Sequence, residues 1–163
     1  MNPLKRILLV EDSVRDAELI LGALEPHQLA SEVAHVRDGA EALDYLHRRG
    51  AYASRSDTQP ILMLLDLKLP KVDGLEVLRQ IKGDAALKMI PVVMMTSSRQ
   101  EQDLVRSYAL GVNAYVVKPM KFQDFVEAVK QVSGFWAVIN EVPGSLNRSE
   151  GPGAQLASTT VKT

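Results

Sequence analysis

Four apolar segments of the sequence end in side chains that could act together on a phosphate group. Glu11-Asp12 follow the first of these segments, Asp66 follows a later one, and Thr96 and Lys118 follow the last two. If the segments are parallel strands, their carboxyl ends share one edge of a sheet, where ligands bind in open α/β folds. The sequence therefore predicts one polar site built from four strand ends.

The three carboxylates of this predicted site indicate a bound cation. Carboxylates held close together raise one another's proton affinity, so their coexistence implies a compensating positive charge. The chain has no cysteine. Its three histidines lack metal-ligand spacing, and we interpret them as structural or solvated: His27, His35 and His47. A hard ion with oxygen ligands, such as Mg²⁺, fits this donor set best.

Asp66 is the candidate nucleophile. A carboxylate can attack a phosphoryl group and form an aspartyl phosphate, which is a known form of covalent catalysis. In this reaction the metal would bridge a phosphoryl oxygen and the acids. Lys118 would neutralise a second oxygen and Thr96 would donate a hydrogen bond to a third.

The elements that must position these residues alternate between strand and helix patterns. Apolar runs predict strands over 5–10, 32–36, 61–65, 90–95 and 114–117. Helical periodicity predicts helices from Ser13 to Pro26, from Asp38 to a cap at Gly50, after Gly74, over 99–110, and from Phe122 through Ile139. Five alternations favour an α/β fold, a doubly wound parallel sheet between two helix layers. The segment between Gly50 and Pro60 has no period and is interpreted as a surface loop.

Composition limits the protein class. With 163 residues, 46% apolar and 24% charged, the chain suits a single core. A net charge of −1 without a basic cluster argues against nucleic-acid binding. No apolar run approaches the roughly 18 residues of a membrane span, and a first strand beginning by Lys5 leaves no room for a signal peptide. We therefore expect no membrane association and a cytoplasmic location.

With these motifs in order, the chain resembles the receiver domain of two-component response regulators from Lys5 to about Val132. The matching motifs are Glu11-Asp12, Asp66 with Pro70 and Asp73-Gly74, Thr96-Ser97, and Lys118-Pro119. The resemblance implies a flavodoxin-like sheet with strand order 2-1-3-4-5. It also implies transfer of a phosphoryl group from a sensor histidine kinase to Asp66, with no independent turnover reaction.

The resemblance further implies a role for each site residue. Asp12 and Asp66 would bind Mg²⁺ with the backbone carbonyl of Lys68, and Glu11 would act largely through water. The Lys118-Pro119 peptide would be cis, which proline permits at about 0.5–1 kcal/mol. Thr96 and Tyr115 resemble the pair of side chains that move when the aspartate is phosphorylated.

A narrower resemblance concerns single-domain regulators that are paired with bacterial phytochromes. Its motifs are Arg106-Ser107-Tyr108 through Gly111, the loop before Pro60, Phe135-Trp136, and 140–143. It implies a bacteriophytochrome as the kinase and a homodimer through the fourth helix, fifth strand and fifth helix. The expected interface residues are Phe122, Phe135, Trp136 and Ile139. Residues 1–143 would then form a receiver domain with an extended C-terminal helix, followed by a disordered tail over 144–163.

Other functions remain open to different degrees. A phosphorelay intermediate, which passes phosphate to a histidine phosphotransfer protein, and a constitutive binding scaffold are both compatible with the sequence. A phosphatase of the haloacid dehalogenase type needs a second acid two residues after its nucleophile, where this chain has Lys68. A nucleotide- or flavin-binding module would need a Gly-rich phosphate loop, which the sequence lacks.

Overall fold

The computed structural model of the protein describes residues 6–97 and 111–130. These residues contain five parallel strands: β1 Ile7–Val10, β2 Val33–Val36, β3 Leu62–Asp66, β4 Val92–Thr96 and β5 Ala114–Val117. They form one sheet in the order β2-β1-β3-β4-β5. Four α-helices accompany them: α1 Val14–Leu24, α2 Gly39–His47, α3 Gly74–Lys82 and α4 Phe122–Lys130. The predicted doubly wound fold and its strand order are confirmed.

The strands of the sheet differ in burial according to their position. Every residue of β1, β3 and β4 is buried, because helices cover both faces of the central strands. The edge strands β2 and β5 contain partly exposed residues. The uninterrupted apolar runs of the sequence therefore mark the middle of the sheet.

Two apolar cores lie on opposite faces of the sheet. On one face, Ile20 of α1 and Phe125 of α4 pack with Leu9 and other strand residues. On the other face, Leu46 of α2 and Ile81 of α3 belong to the second core. Successive strand residues alternate between the two cores, so the sheet is fixed from both sides and its carboxyl edge is held in place.

Side chains at three helix starts cap the backbone. Ser13 accepts a hydrogen bond from the Asp16 N–H at 3.2 Å, Asp38 from the Glu41 N–H at 2.7 Å, and Asp73 from the Glu76 N–H at 2.9 Å. Such N-caps satisfy donors that the helix leaves free, and each stabilises by about 1 kcal/mol. Asp38 and Asp73 are therefore capping residues of α2 and α3.

The end of α2 differs from the prediction. The helix ends at His47, and Arg48 rather than Gly50 is its C-terminal cap, with φ of 54° and its N–H bonded to the Asp44 and Tyr45 carbonyls. A left-handed non-glycine residue costs about 1–2 kcal/mol. The Arg48 guanidinium donates to the Asp57 carbonyl at 2.8 Å, which helps to offset this cost.

The segment after α2 is also more ordered than a plain surface loop. It begins with a short 3₁₀ helix over Gly50–Tyr52. Farther along, the Arg55 side chain is only 8% exposed, pairs with Asp57 at 2.8 Å and lies 4.1 Å above the ring of Tyr45. Its guanidinium anchors the segment to Tyr45 of α2. Periodicity describes a single helix or strand and does not report contacts between two segments.

Several predictions concern parts of the chain outside the described residues. These are the helix over 99–110, the continuation of the last helix from 131 to 139, and the disordered tail over 144–163. Among the residues that the structure describes, no helix has both the length and the apolar character needed to cross a bilayer.

Candidate functional site

The predicted acids meet at the carboxyl edge of the sheet. Glu11 directly follows β1, and Asp66 is the last residue of the neighbouring strand β3. One carboxylate oxygen from each of Glu11, Asp12 and Asp66 lies within 4.8 Å of the other two. Glu11 and Asp66 are buried and Asp12 is exposed, so the cluster opens to solvent on the Asp12 side.

Lys118 pairs with two acids of this cluster and with Asp16 of α1. Its Nζ is 2.9 Å from Glu11 Oε2, 3.1 Å from Asp66 Oδ2 and 3.2 Å from Asp16 Oδ2. The Lys118 side chain is 12% exposed, and the peptide bond to Pro119 is cis, as the resemblance implied. One ammonium is therefore shared among three carboxylates and leaves part of their negative charge uncompensated.

The charges at the site shift the proton affinities of its groups. Burial raises the pKa of Glu11 to about 7, although the hydrogen bond and charge of Lys118 lower it in part and the charge of Asp66 raises it further. Burial also raises the pKa of Asp66, against the opposing effects of Lys118 and of the Lys68 backbone. Burial alone would lower the pKa of Lys118, but Glu11 and Asp66 outweigh it and the pKa is raised. Lys118 therefore does not supply enough positive charge to keep the pKa values of Glu11 and Asp66 at their ordinary level.

The backbone after Asp66 is held close to the start of α3. The Gly74 N–H donates to the Leu67 carbonyl at 2.9 Å, and a Cβ at Gly74 would clash with the Asp66 carbonyl oxygen. On the other side, the Leu67 N–H donates to the Met95 carbonyl at 3.0 Å. Only glycine permits this approach, so the carboxylate of Asp66 stands on a tightly held backbone.

Thr96 is the last residue of β4, next to the strand of Asp66, and Tyr115 lies in β5, three residues before Lys118. Thr96 is buried at the end of β4, and its carbonyl accepts a hydrogen bond from the Lys118 N–H at 2.8 Å. Tyr115 lies in β5, is partly buried and packs against the core of the α2–α3 face. Their proposed movement on phosphorylation stays a prediction.

Lys68 lies beside the acid cluster on the exposed side. With Asp12, Leu69 and Asp73 it lines an open cavity of about 470 Å³. Its side chain is exposed, whereas its backbone hydrogen-bonds to the Asp66 carboxylate. The side chain at position 68 therefore lies on the solvent side of the acid cluster.

The expected dimer residues are only partly described. Phe122 stacks on His27 of its own chain, with ring centroids 3.4 Å apart and an interplanar angle of 9°. It also contacts Phe125, with centroids 6.1 Å apart. Phe135, Trp136 and Ile139 lie outside the described residues. The homodimer therefore stays a prediction.

Two residues at the site did not emerge from the sequence. Asp16 pairs with Lys118, and its position four residues after Asp12, one helical turn onward, could have indicated it. His35, interpreted as structural or solvated, approaches the Glu11 carbonyl oxygen with Nε2 at 2.8 Å. No sequence signal indicates that contact, because it depends on the alignment of two strands.

The residues present fit a hard divalent cation. The cluster offers carboxylate oxygens, and neither sulfur nor imidazole nitrogen belongs to it. Oxygen donors of this kind suit Mg²⁺, Mn²⁺ or Ca²⁺, and a second positive charge would lower the raised pKa values of the buried acids. The donor chemistry, rather than any bound ion, supports a metal site.

Comparisons with known proteins agree with this arrangement. A family profile described as "Response regulator receiver domain" matches residues 7–130. The bacteriophytochrome response regulator AtBRR is 61% identical, with a TM-score of 0.78, over 85% of this chain and 99% of its own. RtBRR, also described as a bacteriophytochrome response regulator, is 59% identical, with a TM-score of 0.78, over 88% of this chain and 87% of its own. Response regulator Rcp1 of Synechocystis sp. is 41% identical over 144 residues, 88% of this chain and 97% of Rcp1. An Rcp1 crystal structure described as Mn²⁺-bound has a TM-score of 0.63 and 42% identity over 80% of this chain and 92% of its own.

Proposed function

Because the chain belongs to the response regulator receiver family, we propose that it accepts a phosphoryl group on Asp66 from a sensor histidine kinase. One observation carries this proposal. The buried carboxylate of Asp66 lies 3.1 Å from the Lys118 ammonium and within 4.8 Å of carboxylate oxygens from Glu11 and Asp12. A nucleophile, a charge-compensating amine and acids for a cation are thus in one place.

In the proposed reaction, a carboxylate oxygen of Asp66 attacks the phosphorus of a phosphohistidine. The bond between phosphorus and the imidazole nitrogen breaks, and that nitrogen keeps the electron pair. Lys118 moves from its carboxylate partners toward a phosphoryl oxygen, and Thr96 donates a hydrogen bond to another. These contacts compensate the charge that develops during phosphoryl transfer.

A divalent cation completes the charge balance in this proposal. Asp12 and Asp66 would hold Mg²⁺ with the backbone carbonyl of Lys68, and Glu11 would contribute largely through water. When bound, Mg²⁺ supplies positive charge to the phosphoryl oxygens and to the acids. The Mn²⁺-bound form of Rcp1 supports a divalent-cation site in this family.

Phosphorylation would act as a switch through the strands next to the site. Loss of the Lys118–Asp66 ion pair changes the contacts of Lys118, whose N–H bonds to the Thr96 carbonyl. We infer that Thr96 and Tyr115 then favour a second conformation, which shifts a two-state equilibrium toward dimerisation or partner docking. The names of AtBRR and RtBRR support a bacteriophytochrome as the kinase.

The test is phosphorylation of the full chain by a small phosphodonor with Mg²⁺, followed by intact-mass measurement. We expect the wild type to gain one phosphoryl group and Asp66→Asn to gain none. Asp73→Asn is the matched control, because Asp73 lines the neighbouring cavity and Asn caps a helix as well as Asp does. A phosphorylated Asp66→Asn variant, or a folded wild type that takes up no phosphate, would contradict the proposal. Repetition with a purified bacteriophytochrome tests the partner.

A further inference from the structure

His35 hydrogen-bonds to the backbone of the acid pair. Its Nε2 lies 2.8 Å from the carbonyl oxygen of Glu11. A carbonyl oxygen only accepts, so Nε2 carries the hydrogen and donates it. His35 belongs to the edge strand β2, and Glu11 follows the neighbouring strand β1. The contact therefore ties the end of one strand to the site on the next.

This hydrogen bond extends the β1–β2 pairing beyond its last backbone partners. The paired residues end with Val10 opposite Val36, and the Glu11 N–H donates to the Val36 carbonyl at 3.1 Å. After Val36 the chain turns to Asp38, which caps α2. The Glu11 carbonyl accepts a hydrogen bond from the His35 ring instead of from a backbone N–H, which allows β2 to leave the sheet at this point.

The peptide unit that His35 contacts joins Glu11 to Asp12. Because a peptide unit is planar, fixing its carbonyl direction restrains the Cα atoms of both residues. Their carboxylates belong to the cluster in which ligand atoms of Glu11, Asp12 and Asp66 lie within 4.8 Å of one another. The Glu11 side chain is restrained as well, since its Oε1 accepts from the Ser13 N–H at 3.1 Å.

We propose that His35 is a positioning residue that holds the Glu11–Asp12 peptide in the orientation required for divalent-cation binding. This inference rests on the proposed function, because it assigns His35 to the cation site that phosphorylation requires. Outer groups that orient metal ligands commonly change metal affinity 10–100-fold when they are removed. A role in packing alone would instead change stability and leave the affinity unaltered.

Gln and Asn replacements of His35 distinguish the two roles. The Gln amide nitrogen can reach the position of Nε2, whereas the shorter Asn amide reaches only the region of Nδ1. Both are polar and uncharged, so a loss of ring packing affects them alike. His35→Leu removes the donor entirely.

The experiment titrates the full chain and each variant with Mn²⁺ alone and measures free ion by electron paramagnetic resonance. We expect His35→Asn and His35→Leu to raise the Kd about tenfold and His35→Gln to stay within about twofold of wild type. In the metal-free proteins, the carbonyl ¹³C resonance of Glu11 should move in His35→Asn and His35→Leu and stay in place in His35→Gln.

The ways in which this test can fail are distinguishable. A wild type that binds Mn²⁺, together with variants of equal Kd, would overturn the role of His35 alone. Equal losses of Mn²⁺ affinity in His35→Gln and His35→Leu would show that the Nε2 hydrogen bond does not set the affinity, and would also overturn the role of His35. A folded wild type that binds no Mn²⁺ would overturn the proposed function itself, and with it this inference.

Discussion

Replacement of Lys118 by Met tests the charge balance of the site. Met keeps much of the apolar stem and removes the ammonium that lies 2.9 Å from Glu11 and 3.1 Å from Asp66. The Glu11 side chain is fully buried and that of Asp66 is 8% exposed, so water is a poor replacement for the lost partner. Loss of one member of a buried ion pair costs about 3–5 kcal/mol of unfolding free energy. We expect a loss of this order without metal at about pH 8.

The loss should shrink as the pH falls. The folded-state pKa of Glu11 is about 7, compared with an ordinary value of 4.5. Between these pH values the folded protein binds more protons than the unfolded chain, so this group lowers the free energy of unfolding as the pH rises. Without Lys118, the pKa values of Glu11 and Asp66 rise further, and the window extends upward. Each tenfold increase in the proton affinity of one of these groups corresponds to about 1.4 kcal/mol. At about pH 5 the Glu11 carboxyl of the variant is largely protonated, and much of the penalty disappears.

Urea unfolding with a chelator, followed by circular dichroism at several pH values, measures this effect. Lys121→Met is the control, because Lys121 is exposed and should change stability by about 0.5 kcal/mol or less. Saturating Mg²⁺ should restore part of the loss in Lys118→Met, since it supplies a replacement charge to the same acids. A loss that is equal at low and high pH, or no larger than that of the control, would refute the reasoning.

Three further predictions concern the same edge of the sheet. Lys68→Asn should change the lifetime of phosphorylated Asp66 more than its rate of formation, because residue 68 stands on the solvent side of the carboxylate; phosphate release measures this. The Mn²⁺ affinity of the wild type should rise by up to about tenfold for each pH unit and level off above about pH 7, because Glu11 must lose its proton. Titrations with Mn²⁺ at several pH values measure this, and in Glu11→Gln the affinity should depend less on pH. Gly74→Ala should cost about 1–3 kcal/mol in urea unfolding, because its Cβ meets backbone atoms, whereas Gly22→Ala, with open space around it, should stabilise by about 0.5–1 kcal/mol.

Each of these expectations has an outcome that contradicts it. Equal rates of phosphate loss in wild type and Lys68→Asn would remove the role of position 68. A Mn²⁺ affinity that does not vary between about pH 5.5 and 7 would show that the acids bind metal without releasing a proton. If Gly74→Ala were as stable as Gly22→Ala, the start of α3 would have room to move.

Much of the fold follows from local patterns. Uninterrupted apolar runs such as Leu62–Leu65 mark strands covered on both faces, and caps such as Asp38 and Asp73 mark where helices begin. Both signals come from neighbouring residues, so they are visible without a structure. The end of α2 was predicted wrongly because its left-handed cap is Arg48, whereas sequence patterns assign that conformation to glycine.

The sequence by itself determined which residues stand at the carboxyl edge of the sheet, because every parallel strand delivers its last residue to the same side. Only the tertiary structure decided how those side chains pair. That Lys118 joins Glu11, Asp16 and Asp66, and that His35 bonds to the Glu11 carbonyl, depends on strand alignment and on the position of α1 relative to the end of β5. Such contacts join residues far apart in the chain at distances near 3 Å, and periodicity contains no information at that precision.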